Sequence, residues 1–223
     1  MGRTSDRGRM VEEQLAARGI RDGRVLDAFR KIERERFVPD DVVEAAYEDR
    51  PLPIGLGQTI SQPFIAALML QEARLTGTER VLEVGTGSGF LTAALAELAG
   101  LVVSLERHVP LADAARDRLK ALGYEHVRVV IRDGTKGYER LGPYDMIMCS
   151  AAGPDAPPAL IEQLRDDGGR LIMPIGEEGE PQTIYRFVRE GYDVRREAIL
   201  SDVSFVPLVG RFGFRPEERP IQW

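Results

Sequence analysis

Three glycines at alternate positions, Gly85, Gly87 and Gly89 in VLEVGTGSGF, follow an apolar run and open a helical pattern. Without Cβ atoms they let backbone approach a ligand closely, and a helix starting near Ser88 offers unpaired N–H groups to a carboxylate or phosphate. The dinucleotide fingerprint GxGxxG needs glycine at position 90, where this chain has Phe90. Glu106 ends the next β-rich run 17 residues after Gly89, where a carboxylate can accept both hydroxyls of a ribose. Asp133, followed by Gly134 in RDGTKGY, ends a third run, within reach of the exocyclic amine of an adenine. Glu83, two residues before Gly85, either faces the amino group of a ligand or accepts local backbone N–H groups. A nucleoside joined to an amino acid, with its carboxylate at the helix start and its ribose on Glu106, suits S-adenosylmethionine better than a dinucleotide.

Upstream, GQTISQPFIAALML crowds Gln58, Thr59, Ser61 and Gln62 before another helical pattern. Ser61 with an early Pro63 makes a good helix start. One cap residue is enough, so the surplus polarity needs another explanation. The two histidines, His108 and His126, stand in no cluster with Cys or acidic residues at ligand spacing, and no metal is expected. His108 reads as the cap of the helix after Glu106.

The elements that must position these residues alternate. RVLEVG, LVVSLE, VRVVI, YDMIMCSA and GRLIMPIG are strand candidates, and 88–98, 110–122 and 157–164 carry helical apolar faces between them. Strands apolar at successive positions and separated by helices predict an α/β fold, with a mostly parallel sheet covered on both faces. QTIYRFVRE and EAILSDVSFVPLVG, joined at Glu190-Gly191-Tyr192, read as a closing antiparallel pair. Ahead of the sheet, apolar spacing from Asp6 to Glu35 predicts two short helices broken at Arg18-Gly19, and RPLPIGLG reads as an irregular crossing.

With 223 residues, 43% hydrophobic and 30% charged, one sizeable core is the default. The expected organisation is one domain: an N-terminal helical elaboration over 1–56, a catalytic core over 57–210 and a tail over 211–223. A net charge of −6 argues against nucleic acid, which calls for a dense basic patch. Cys149 is the single cysteine and can form no intrachain disulfide, which fits a reducing cytoplasm. No run has the length of a signal peptide or a membrane span, so a cytoplasmic protein with no membrane partner, and a monomer, is expected.

VEEQLAARGI, RERFVP, AYEDRPLPIGLGQTISQP, VLEVGTGSGF, RDGTKGY, PYDMIMCSAA, GGRLIMPIG and FVPLVG, in order from Met10 to Gly210, together resemble the protein-L-isoaspartate O-methyltransferases. The glycine motif is shared by many methyltransferases; GQTISQP and FVPLVG are far more discriminating. The resemblance implies a Rossmann-like class I methyltransferase fold. It also implies transfer of the methyl group of S-adenosylmethionine to the free α-carboxylate of isoaspartyl residues in damaged proteins and peptides, with repair through a succinimide.

Ser61 matches the family's active-site serine, while Gly85, Gly87, Gly89, Glu106, Asp133 and Gly134 match its cofactor positions. The full cofactor set expected adds Glu83, Thr86, Ser88 and Arg107. Thr59, Ile60, Val206 and Leu208 are the expected substrate contacts, since an enzyme accepting many sequences should read peptide backbone by strand addition. With the resemblance, Ser61 can both cap a helix and orient the carboxylate. Cys149-Ser150 and Ser204 depart from the family pattern, and 211–223, with Phe212, Phe214 and Trp223, carries no pattern beyond a tail or a cover over a groove. Two rival readings remain: a methyltransferase acting on aspartate in one dedicated peptide, and a degenerate cofactor-binding scaffold.

Overall fold

The computed structural model describes residues 2–215, so expectations placed on Met1 and on Trp223 lie outside the described residues. Helix α1 (Arg3–Arg9) runs into a π-helical turn, Met10–Leu15, and a 3-10 turn, Ala16–Arg18. The helical run stops at Gly19, whose φ of 99° is the left-handed end that the Arg18-Gly19 pair predicts. Helix α2 (Gly23–Lys31) starts on Asp22, whose carboxylate accepts from the N–H groups of Arg24 and Val25, a cap worth about 1 kcal/mol. Phe29 and Phe37 pack edge-on against Phe90 with ring centroids 5.5 and 5.6 Å away. These contacts fasten the N-terminal helices to the start of helix α4 (Phe90–Leu98).

The stretch read as an irregular crossing is a hairpin. Strand β1 (Leu52–Gly55) pairs antiparallel with β2 (Gln58–Ile60). Leu52 and Ile54 are buried while Pro53 and Gly55 are exposed, a period of two that the prolines and glycines mask in the sequence. Helix α3 (Pro63–Ala73) follows directly.

The main sheet has seven strands in the order β5-β4-β3-β6-β7-β8-β9. β3 (Arg80–Val84), β4 (Leu101–Glu106), β5 (Val127–Ile131), β6 (Met146–Cys149) and β7 (Asp167–Ile175) run parallel. β8 (Gln182–Glu190) and β9 (Asp193–Val203) close the sheet antiparallel. Helix α5 (Val109–Ala121) joins β4 to β5, and α6 (Pro158–Glu162) precedes β7, shorter than the predicted 157–164. Along β6, Met146 and Met148 join one core with α2, α3 and α4, and Ile147 and Cys149 join the other with Leu160 and Leu164. The sheet is therefore covered on both faces, as apolar residues at successive positions require.

The last predicted strand divides. β9 ends at Val203, and 205–209 leaves the sheet as a strap beside Ala152, whose N–H donates to Val206 O (2.8 Å) and whose carbonyl accepts from Leu208 N (2.7 Å). Pro207 has no N–H with which to continue an antiparallel ladder.

Candidate active site

At the carboxyl end of β3 the chain turns through Gly85, Gly87 and Gly89 with φ of 98°, 54° and 91°, a left-handed series that side chains disfavour. The helix starts at Phe90 with Gly89 as its N-cap, slightly later than the sequence suggests. Gly85 N and Thr86 N donate to Leu105 O (2.9 and 3.2 Å), so the turn hangs from the end of β4. Glu106 tightens that attachment. Its Oε2 accepts from Gly87 N (2.9 Å), and its Oε1 accepts from Arg107 N (2.8 Å) and His108 N (2.9 Å). Two strand ends are thereby joined around one carboxylate, which still has acceptor capacity left.

A cavity opens beside this turn. Gly85, Thr86, Gly87, Ser88, Glu106, Arg107 and Gly134 wall one side. Thr59, Ile60, Ser61, Val206 and Leu208 wall the other. Among the expected cofactor residues, Glu83, Gly89 and Asp133 do not line it. A Cβ on Gly89 would lie 3.4–3.5 Å from Leu119 and Ala115, so this glycine serves the close packing of turn and α5.

Asp133 is engaged elsewhere. Its carboxylate accepts from Thr135 N (3.0 Å), Thr135 Oγ1 (2.7 Å) and Arg211 N (3.0 Å). Those hydrogen bonds and the nearby Lys136 charge outweigh the opposing effect of burial and hold it below the usual carboxylate range. Its backbone neighbour Gly134 supplies the cavity wall, while Asp133 ties the end of the strap to the β5 turn.

Glu83 takes neither of the two roles open to it from the sequence. It is fully buried, and its Oε2 accepts from the hydroxyls of Thr92 and Ser104 while its Oε1 has no partner among the described residues. The Ser104 hydroxyl also meets that of Thr86, so a chain of hydroxyls runs from the glycine turn to this acid. Burial, aided by the Glu106 charge and only partly offset by the two hydroxyl donors, pushes the Glu83 carboxyl up to about 8.

Ser61 does not cap α3. The N-cap is Gln62, which makes no side-chain cap bond. Asp49 supplies the cap from outside: its carboxylate accepts from Phe64 N (3.2 Å) and Gln62 Nε2 (2.7 Å) and is paired with Arg18. The Ser61 carbonyl accepts from Arg34 Nη2 (2.8 Å), and Arg34 Nε donates to Ala46 O (2.8 Å). This arginine is wholly buried, lies 4.7 Å from the Phe90 ring centroid and is pushed down to about 9 by desolvation. Relieved of capping, the Ser61 hydroxyl makes no hydrogen bond among the described residues.

A second cleft adjoins the first, lined by Arg18, Phe64 and Ile65 on one side and by 200–206 on the other. The two share Thr59, Ser61, Ser150 and Val206. Ser61 therefore sits where the cavities meet, with the glycine turn on one hand and an open groove on the other. Sequence reasoning missed Arg34 and Asp49, which act through contacts far apart in the chain, and gave Ser150 no role beyond a departure from the family pattern. His108 is the N-cap residue of α5, as the sequence suggests, although its side chain makes no cap bond, and it also forms part of the cavity wall.

A parallel sheet with this strand order, a glycine turn after β3 and an acid after β4 defines the chain as a class I methyltransferase fold. The family model for protein-L-isoaspartate(D-aspartate) O-methyltransferase matches residues 5–213. A protein-L-isoaspartate O-methyltransferase from Protochlamydia amoebophila is 50% identical over 206 residues, covering 92% of this chain and 98% of that relative. A solved protein-L-isoaspartate O-methyltransferase superposes with a TM-score of 0.85 at 30% identity, over 93% of this chain and 67% of that one. The Plasmodium falciparum protein-L-isoaspartate O-methyltransferase, solved in complex with S-adenosyl-L-homocysteine, gives 0.75 at 26% identity over 90% and 96% of the two chains. The chain belongs to the protein-L-isoaspartate O-methyltransferase family.

Proposed function

We infer that this enzyme transfers the methyl group of S-adenosylmethionine to the free α-carboxylate of L-isoaspartyl residues in damaged proteins and peptides. The ester then closes to a succinimide, whose hydrolysis returns part of the chain to aspartate. The observation that carries the site assignment is the position of Ser61 at the meeting of two cavities, with its hydroxyl left unengaged.

S-adenosylmethionine brings a methyl group on a sulfonium sulfur, an electrophile that needs no further activation. The acceptor is an α-type carboxylate with an ordinary pKa of about 3.3–3.7, ionised at neutral pH, so no residue has to remove a proton. One carboxylate oxygen forms the new bond to the methyl carbon as the bond to sulfur breaks, and the electron pair stays on sulfur. The protein's task is alignment, which in favourable cases supplies on the order of 7–11 kcal/mol.

Ser61 donates its hydroxyl to the carboxylate and fixes its orientation, while Arg34 holds the serine's carbonyl and Asp49 holds the neighbouring Gln62 and Phe64. Glu106 keeps acceptor capacity for the ribose hydroxyls, and the turn from Gly85 to Ser88 carries the amino-acid end. Arg107 and Gly134 complete this cofactor wall, with the Gly134 backbone on the adenine side. Exposed Thr59 and its neighbour Ile60 face the strap of Val206 and Leu208, and the peptide lies between them as an added extended segment. Residues 57–210 act as the catalytic core with 1–56 folded onto it, and the enzyme works as a cytoplasmic monomer. The absence, among the described residues, of any helix long and apolar enough to cross a membrane is compatible with that placement.

The test is incorporation of a labelled, base-labile methyl group into an isoaspartyl peptide beside its aspartyl twin. Methylation of the isoaspartyl peptide alone is expected. Equal methylation of both, or of the aspartyl form only, would contradict the substrate assignment.

A further inference from the structure

Ser150 is where β6 leaves the sheet. Its N–H donates to Val84 O (2.9 Å), which sets it level with the glycine turn, and a Cβ added to Gly85 would lie 3.6 Å from the Ser150 Cβ. The strand order reverses between β3 and β6, because the chain moves outward from β3 to β4 and β5 and then returns to place β6 on the other side. Ligands of open α/β sheets bind at such a switch point, outside the carboxyl ends of the strands. Ser150 lines both cavities, as Ser61 does. Its Oγ is buried and has no hydrogen-bond partner among the described residues. A buried hydroxyl without a partner is costly, and one kept at the junction of two cavities calls for a ligand group that completes it.

The adjacent departure from the family pattern has a different character. Cys149 is fully buried in the second core, its thiol donates to Ala151 O, and burial pushes that thiol up to about 12. It fills space. Ser150 is the member of the pair with unused chemistry.

We propose that Ser150 is a second substrate-contacting hydroxyl, sharing the isoaspartyl carboxylate with Ser61 so that each serine donates to one of its oxygens. This rests on the functional reading above. A single donor leaves the carboxylate free to rotate about its Cα–C bond and carry the attacking oxygen off line. A second donor, rooted on β6 and not on the α3 segment, fixes its plane. Each oxygen has more than one lone pair, so it can accept a hydroxyl and still attack.

The test compares Ser150→Ala, Ser150→Thr, Ser61→Ala and the Ser61→Ala/Ser150→Ala double variant, each full-length, by steady-state methylation of an isoaspartyl peptide and calorimetric binding of S-adenosylmethionine. Ser150→Ala is expected to lower kcat/KM for the peptide about tenfold, with cofactor affinity within about twofold of the parent enzyme. Ser150→Thr keeps the hydroxyl and should recover most of that loss. The double variant should lose less than the product of the two single losses, because the hydroxyls hold one group. The proposal is overturned by a Ser150→Ala enzyme within about twofold of the parent, by equal loss in the alanine and threonine variants, or by losses that simply multiply. A parent enzyme that methylates no isoaspartyl peptide would instead overturn the functional reading, an outcome visible before any variant is made.

Discussion

The two cavities that meet at Ser61 are built in opposite ways. On the side of the glycine turn, the first is made by strand ends: Gly85 and Thr86 hang from Leu105, and Gly87 from Glu106. The adjoining cleft depends on long side chains, with Arg34 gripping Ser61 across 27 residues, Asp49 capping α3 across 15, and a strap near position 206 forming the far wall. The first half is anchored where the glycine turn hydrogen-bonds to the end of β4. The second owes its geometry to side chains, above all a buried arginine. Damage to one half should therefore leave the other readable, and the variants below separate them.

The largest effect is expected from Ser61→Ala. Turnover on an isoaspartyl peptide should fall at least about tenfold. Calorimetric binding of S-adenosylmethionine should change little; near-normal turnover would remove Ser61 from the chemistry. Glu106→Ala is the converse test. It removes three backbone acceptor bonds and the ribose partner together, and cofactor affinity should drop about tenfold or more. Unchanged affinity would refute the ribose assignment and weaken the view of a sheet-built cofactor half.

Arg34→Lys probes the side-chain-built half. An ammonium cannot reach the Ala46 and Ser61 carbonyls in the planar fork that Arg34 provides. We expect kcat to fall about threefold to tenfold with cofactor affinity unchanged. A parallel loss of both would mean that Arg34 supports the fold as a whole.

The smallest effect concerns Glu83. Its carboxyl, raised to about 8 by burial, compares with about 4.3 for a free glutamate. A group whose folded pKa lies above its unfolded one contributes most below the unfolded value, and that contribution is lost as pH rises through about 8. Glu83→Gln keeps a neutral side chain and does not titrate. Relative to that variant, the parent enzyme should lose several degrees of melting temperature between about pH 5 and pH 8. A constant difference across that range would show that Glu83 is ionised throughout.

The contrast between the halves also sets what the sequence discloses. VLEVGTGSGF and the acid at Glu106 lie on neighbouring strands in a fixed rhythm, so their meeting follows from the alternation of strands and helices alone. The hairpin at 52–60 is hidden because Pro53, Gly55 and Gly57 interrupt its alternation. Asp133 has contacts that the sequence hides for a different reason. Its position after β5 is as expected, and its carboxylate also accepts from Thr135 and from Arg211 N at the end of the strap, a contact across 78 residues. Arg34, Asp49 and Ser150 leave no periodic trace, since one bonds a distant carbonyl, one caps another segment's helix and one has a hydroxyl with no partner among the described residues. The excess of polar residues in GQTISQP and the FVPLVG segment are the local signs of the second half, and the cap supplied by Asp49 explains why Ser61 is not needed as a cap.

The most direct measurement is a crystal structure of the enzyme with S-adenosyl-L-homocysteine and an isoaspartyl peptide. The account predicts ribose hydroxyls on Glu106, and peptide in the cleft between the Thr59-Ile60 segment and the strap at Val206, with its α-carboxylate about 3 Å from the Ser61 hydroxyl. A carboxylate held away from Ser61, or a peptide bound outside that cleft, would contradict it.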